Sequence, residues 1–181
     1  MPTILTHAIA GATVAQLLAP SSRRGEITWT AAACAMLPDI DVLGLSLGIP
    51  YGDLFGHRGF THSLLFAGVV ALAVTGFYWG KANRRDFLQI LAAIFVATAS
   101  HGVLDAFTNG GLGVAFFSPF DLRRYFFPIR PIEVSPLGVA ALLTERGASV
   151  LRSEILWVWT PSICVFITAV IVRRRRRAWY I

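Results

Sequence analysis

Apolar residues run along this chain in stretches of membrane-spanning length, separated by short polar interruptions. Crossing a bilayer core takes about 20 helical residues, with a range near 17 to 25. Five stretches approach that length: residues 4–19, 27–47, 63–80, 87–107 and 155–172. Lipid offers no hydrogen bonds to bare backbone, so each such segment has to be helical. The pattern predicts an all-α, polytopic membrane protein with about five transmembrane helices, forming a single integral membrane domain over residues 1–181. Residues 4–19 are the shortest stretch and are read as either spanning or re-entrant. No internal repeat and no separate soluble domain is evident.

Between the fourth and fifth stretches lies a long segment, residues 108–154. It opens on Asn109-Gly110-Gly111, a turn signal. It continues through Ser118-Pro119-Phe120, Pro128, Pro131 and Pro136, which oppose a continuous helix. Its mixture of aromatic, aliphatic and basic residues predicts a segment folded against the membrane surface.

Composition supports a bilayer setting. Hydrophobic residues make up 55% of the chain and charged residues only 14%, against roughly 25% charged in ordinary soluble domains. The mean hydropathy is +0.63. The net charge of +6 does not form the stripe expected of a nucleic-acid binder. It falls in clusters at Arg23-Arg24, at Lys81, Arg84 and Arg85, and at residues 173–177. Five spans put all three clusters on one side, and the positive-inside rule makes that side cytoplasmic. The N-terminus, residues 48–61 and the long segment then face outward, with 173–181 a basic cytoplasmic tail. Arg123, Arg124, Arg130, Arg146 and Arg152 oppose this assignment mildly, from a long loop where the rule is weaker. The N-terminus lacks the basic region of a signal peptide, and His7 interrupts its apolar run. Cys34 and Cys164 lie in apolar runs and read as small buried hydrophobes rather than a disulfide.

Candidate chemistry collects in one layer of this topology. His7 lies near the outer end of the first stretch, and Asp39 and Asp41 near that of the second. His57 and His62 stand at the entry to the third, and His101 and Asp105 towards the outer end of the fourth. All four histidines and three acids therefore share one outward layer. An ionisable group within a membrane costs about 2.5–3.5 kcal/mol or more at mid-depth. A divalent cation offsets that cost by pairing with carboxylates and neutral imidazoles. His101 and Asp105 are four apart and share a helical face. Histidine and aspartate without thiolate suggest zinc, with manganese or another divalent ion as alternatives. Taken singly, each residue has a plainer role: an interfacial imidazole, a helix-end cap at Asp39 or Asp41, or a hydrogen-bonded pair at His101 and Asp105. It is their joint occurrence that predicts metal binding.

The sequences Thr6-His7-x-x-x-Gly11, Leu37-Pro38-Asp39-x-Asp41, His57-Arg58-Gly59-x-Thr61-His62-Ser63, His101-x-x-x-Asp105-x-x-Thr108 and Phe126-Phe127-Pro128-x-Arg130-Pro131 together resemble the YdjM family of bacterial inner-membrane proteins. The resemblance covers most of the chain. It implies a metal-dependent hydrolase, phospholipase-like, with distant similarity to zinc-dependent phospholipase C and P1-type nucleases. On it, His7, Asp39 or Asp41, His62, and His101 with Asp105 match the metal-binding positions. The soluble enzymes have a further histidine and a second His-x-x-x-Asp/Glu motif. This chain has no fifth histidine, so the resemblance implies one or two ions rather than three.

The implied reaction is hydrolysis of a phosphoester in a phospholipid or lipid-linked substrate at the outer face of the cytoplasmic membrane. Asp39 or Asp41 then serves as base and His57 as ligand or general acid. Arg58, with Arg123, Arg124 or Arg130, binds the phosphate. Membrane lipids are the expected partners and nucleic acid is not; the oligomeric state stays open. The alternatives are a divalent-metal transporter and a metal-binding structural membrane protein.

Overall fold

The computed structural model describes residues 1–136 and 143–178, with the side chains of Arg174, Arg176, Arg177 and Ala178 left out. Part of the long segment (137–142) and the end of the basic tail (179–181) lie outside the described residues.

The chain is all-helical, and its helix limits follow local chemistry. Helix α1 (Ile4–Leu18) stops before Ala19-Pro20. Helix α2 (Arg24–Met36) gives way, at Pro38, to a 3₁₀ turn over Leu37–Asp41 and a short helix α3 (Val42–Ser46). A second 3₁₀ turn, Phe60–His62, leads into α4 (Leu64–Gly76), whose Ser63 cap accepts a hydrogen bond from the Phe66 amide at 3.1 Å. Asn83 caps α5 (Arg84–Ala106) in the same way, through the Asp86 amide. Helix α6 (Glu145–Glu154) continues through a π-helical turn, Ile155–Trp159, into α7 (Thr160–Ala178). Among the described residues there is no strand. Isolated bridges Thr108–Ile132 and Val114–Tyr125 hold the segment after α5.

Two of these differ from the sequence expectation. Among the described residues, two helical stretches are long and apolar enough to cross a membrane, Arg84–Ala106 and Glu145–Arg173, rather than the five expected. Helices α1, α2 and α4 have 15, 13 and 13 residues. At about 1.5 Å per residue they extend only about 20 Å, short of a hydrocarbon core of about 30 Å. The apolar stretches had the right composition, but Pro38 turns the end of the second into 3₁₀ backbone that carries Asp39 and Asp41, and the helix of the third stops at Gly76. The long segment also differs, because its last ten residues are the helix α6. The polar sequence of α6 hides a buried face at Gly147, Val150 and Glu154, with helical spacing.

Helix α1 packs on α2 and α5, α2 on α5, α4 on α5, and α7 on α1. The core is built from small side chains, including Ala15, Ala31, Ala71, Ala93 and Ala97, with Ile27, Ile90 and Ile94 between them. Small residues let helix axes approach where lipid supplies no hydrophobic drive. The outer surface is apolar too: Trp29, Leu43, Leu47, Leu72, Leu88, Phe166, Ile167 and Ile171 are all exposed, as a lipid-facing wall requires.

The tightest crossing is at Gly11. A Cβ there would lie 2.6 Å from the Ala31 carbonyl oxygen and 2.6 Å from the Ala35 Cβ. Alanine gains about 1 kcal/mol of helix propensity over glycine, but here the obstacle is backbone, and overpacking costs about 1–3 kcal/mol. Gly11→Ala is therefore expected to destabilise the fold, read as a lowered thermal midpoint in detergent. Gly25 and Gly68, with nothing within 4 Å, should tolerate the same change.

The alternating helices leave the protein with two chemically distinct ends. At one end the basic loops meet. Arg23 donates to the Lys81 carbonyl and stacks on Tyr78, Ser22 bonds Asp86, and Arg173 donates to the carbonyl of Gln16. The start of α1, the end of α2, the start of α4 and the end of α5 form the other. Of the two cysteines, Cys34 is buried, as expected. Cys164 is exposed, because α7 turns most of its apolar surface outward; both are free thiols.

Candidate metal centre

The expected layer of histidines and aspartates forms a single cluster at that second end. His7 enters from α1, Asp39 and Asp41 from the 3₁₀ turn after α2, and His57 from the loop 47–59. His62 comes from the turn before α4, and His101 and Asp105 from the last turns of α5. The side chains of His7, His62, His101 and Asp105 are fully buried.

Hydrogen bonds assign the imidazoles their orientation. The Nδ1 of His101 lies 2.7 Å from the Ala35 carbonyl oxygen and donates to it. The Nδ1 of His62 lies 3.1 Å from Asp41 Oδ2. Each arrangement leaves Nε2 as a lone-pair donor, and the two Nε2 atoms face one another at 3.0 Å. Asp39 Oδ1 stands 3.2 Å from His101 Nε2 and 3.8 Å from His62 Nε2, and Asp105 Oδ2 lies 3.4 Å from His62 Nε2. His7 stacks on His101 with ring centroids 3.6 Å apart, its Nε2 3.6 Å from Asp105 Oδ1.

Lone pairs from imidazoles and carboxylates thus converge on one point. Both ring nitrogens of His7 and both carboxylate oxygens of Asp39 and Asp105 are buried without a hydrogen-bond partner. Such groups cost about 1–3 kcal/mol each, more when charged. Four ligands at about 2.0–2.1 Å around a tetrahedral ion lie about 3.3–3.4 Å from one another. The Asp39, His62 and His101 atoms, at 3.0 to 3.8 Å, match that spacing. Three groups can hold a metal: His7, His101 and Asp105; Asp39, His62 and His101; and Asp41, His57 and His62.

The two aspartates after α2, which the sequence left as alternatives, separate here. Asp41 is already saturated. It meets His57 Nδ1 at 2.7 Å and His62 Nδ1 at 3.1 Å, and accepts from the Arg58 amide at 3.1 Å and the Thr61 hydroxyl at 2.6 Å. It therefore orients both imidazoles, as second-layer carboxylates do around metal-binding histidines. Asp39 is the open one. The third group is built on Asp41, so the first two groups, sharing His101, are the better cation sites.

The arginines are committed to other contacts. Arg58 is fully buried and has φ +63°. It lies 2.9 Å from Asp105 Oδ2 through Nε and donates to the Gly110 carbonyl and the Thr108 hydroxyl. Arg124 donates to the carbonyls of His57, Tyr51 and Asp53, pinning that loop, and burial pulls its pKa down. Arg123 pairs with Asp121 on the surface, and Arg130 lies over the Phe126 ring.

Sequence reasoning missed Glu154. It is fully buried and accepts from the Thr3 amide, the Thr3 hydroxyl and the Thr6 hydroxyl. Trp159 Nε1 donates to the same Thr6 at 2.6 Å. The one available signal was an acid standing directly before an apolar run, which reads equally as a membrane boundary.

The chain is 38% identical over 163 residues to the inner membrane protein YbcI of Escherichia coli, covering 90% of this chain and 94% of that protein. It is 33% identical over 96 residues to the uncharacterized protein YvsG of Bacillus subtilis, covering 49% of this chain and 56% of that one. No solved structure matches. The family model for the YdjM inner membrane protein matches residues 1–178. A match over nearly the whole length, spanning every residue of the cluster, makes the chain a member of the YdjM inner membrane protein family.

Proposed function

We propose that this protein is a membrane-bound, metal-dependent hydrolase acting on a phosphoester of a phospholipid or lipid-linked substrate, at the outer face of the cytoplasmic membrane. The observation that carries the reading is the set of buried oxygens and nitrogens without a hydrogen bond on Asp39, Asp105 and His7, around the facing Nε2 atoms of His62 and His101. A bound divalent ion, zinc by donor type, would lower the pKa of a ligated water towards about 7 and polarise a phosphoryl oxygen. One or two ions fit, held by His7, Asp39, His62, His101 and Asp105.

The chain's own groups divide the remaining work. Asp41 fixes His57 and His62. His57, held by Asp41 at 2.7 Å, is placed to protonate a leaving alkoxide as general acid. Arg58 balances the Asp105 charge and sets the α5 terminus. Orientation with the basic end in the cytoplasm puts the cluster at the outer leaflet.

The test is metal analysis of purified protein beside assay of phosphodiester hydrolysis in a fluorescent phospholipid. Wild type should carry one or two equivalents of divalent metal. His101→Ala, which removes a ligand common to both open groups, should lose the metal and the hydrolysis. Full metal content in that variant would sink the proposal.

A pH dependence follows at His62, which precedes α4. Burial pulls its pKa down, but Asp105 and Asp41 outweigh burial and raise it to about 9. In metal-free protein the imidazolium's stabilisation is therefore complete below an unfolded value of about 6.5 and lost as pH rises through about 9. Ligation needs the neutral ring. Zinc uptake should thus displace this proton, and apparent affinity should weaken about tenfold per unit of pH below about 9. Competition titrations with a zinc indicator at two pH values in that range measure the slope.

A further inference from the structure

The cluster is sealed on nearly every side, and its most accessible group is Asp39, at 8% exposure, against 0% for His7, His101 and Asp105 and 4% for His62. What reaches Asp39 is a groove of about 340 Å³ between the start of α1 and the end of α2, lined by Ile4, Ala33, Met36, Leu37 and Ile40. Asp39 is its one ionisable lining residue, and both of its carboxylate oxygens are buried without a hydrogen bond. The groove opens onto an apolar wall, where Ile4, Leu5, Leu37, Ile40, Leu43 and Leu47 are all exposed. A contiguous aliphatic surface of this kind faces lipid or a binding partner.

We infer that this groove is the subsite for the hydrocarbon chain of a membrane lipid, which enters sideways from the bilayer and brings its ester-linked headgroup to Asp39. The inference rests on the hydrolase reading and adds the route and the recognised part of the substrate. The chemistry selects the occupant. A water-soluble phosphate gains nothing from an aliphatic wall, whereas a chain already in the bilayer passes along it without exposure to water. A lipid phosphoester joins an apolar chain to an anionic group within a few bonds, as the groove joins its aliphatic wall to the cluster. The groove between α4 and α5, lined by Leu72, Leu88, Leu91 and Phe95, has no ionisable lining residue and serves as an internal control.

The test uses full-length protein in phosphatidylethanolamine nanodiscs containing phosphatidylglycerol with a diazirine on one acyl chain. After photolysis, adducts are mapped by mass spectrometry. Labelling of Ile4, Ala33, Met36 and Ile40 is expected to exceed that of Leu72, Leu88 and Phe95 by at least about fivefold, equivalent to about 1 kcal/mol. Ala33→Trp, which fills the groove without replacing a proposed ligand, should remove the excess and leave metal content unchanged. Ile40→Asn, which keeps the space but makes its wall polar, should do the same if the tryptophan variant fails to fold. Equal labelling of both grooves, or an excess that survives both substitutions, would overturn the subsite. Metal content, read in the same samples, bears separately on the hydrolase: an excess of adduct without metal keeps the groove and removes the chemistry, and metal without the excess does the reverse.

Discussion

Asp105→Ala is expected to be among the most damaging substitutions in the protein, abolishing metal binding and destabilising the fold by about 3–5 kcal/mol. Two separate losses contribute. Asp105 belongs to the group formed with His7 and His101, and its removal takes away an anionic ligand. It also faces the Arg58 guanidinium at 2.9 Å, where both side chains are fully buried. Breaking such a pair strands a buried charge, which costs far more than the pair itself contributes. The two losses are separable. Asp105→Ala combined with Arg58→Met removes the stranded charge and should recover much of the thermal stability while leaving metal content at zero. Asp105→Asn should also spare part of the stability, since the amide keeps the shape and a polar oxygen beside Arg58, and still weaken metal binding. If the single alanine variant kept native metal content, Asp105 would not be a ligand. If the double variant stayed as unstable as the single, the Arg58 account would fail.

How far the sequence reveals this centre depends on the scale of interaction each residue reports. His101 and Asp105 share a helical face by spacing alone, and the structure places both in the cluster. His7, His57 and His62 were legible as a layer because apolar stretches tolerate imidazoles only near their ends or with partners. The division between Asp39 and Asp41 was not legible. It depends on the Arg58 amide and the Thr61 hydroxyl, which reach Asp41 because Arg58 adopts a left-handed backbone conformation. Hydropathy also overstated the helices. It counts residues 37–47 and 77–80 as span, where Pro38 diverts the chain into 3₁₀ backbone and the helix begun at Leu64 stops at Gly76. The departure from α-helix at Pro38 lets Asp39 and Asp41 turn inward, so the feature that shortens α2 also builds the cluster. The arginines were legible as charges but not by role, because the carbonyls of Gly110, His57 and Tyr51 that Arg58 and Arg124 bind are set by tertiary folding.

Glu154→Ala carries the second large expected effect, and it reaches the cluster from outside. The carboxylate is buried among the Thr3 amide and the Thr3 and Thr6 hydroxyls, and Thr6 also receives the Trp159 indole. Hydrogen bonds to a charged group are worth about 1.5–3 kcal/mol each, and donors left buried without a partner cost about 1–3 kcal/mol. Alanine removes the acceptor for three donors and adds a cavity, so a loss of about 3–4 kcal/mol is expected, read as a lowered thermal midpoint. Glu154→Gln keeps one oxygen acceptor and should lose about half as much. The position also bears on function. Thr6 directly precedes His7, so the bonds that tie α1 to the last helix hold His7 against His101, where their rings stack at 3.6 Å. Zinc affinity should therefore fall in Glu154→Ala by more than in a variant of matched stability elsewhere in the fold. Equal affinities in the two variants would confine Glu154 to the fold. A selective loss would make it a positioning residue for His7, joining the α6–α7 stretch to the histidine–aspartate cluster.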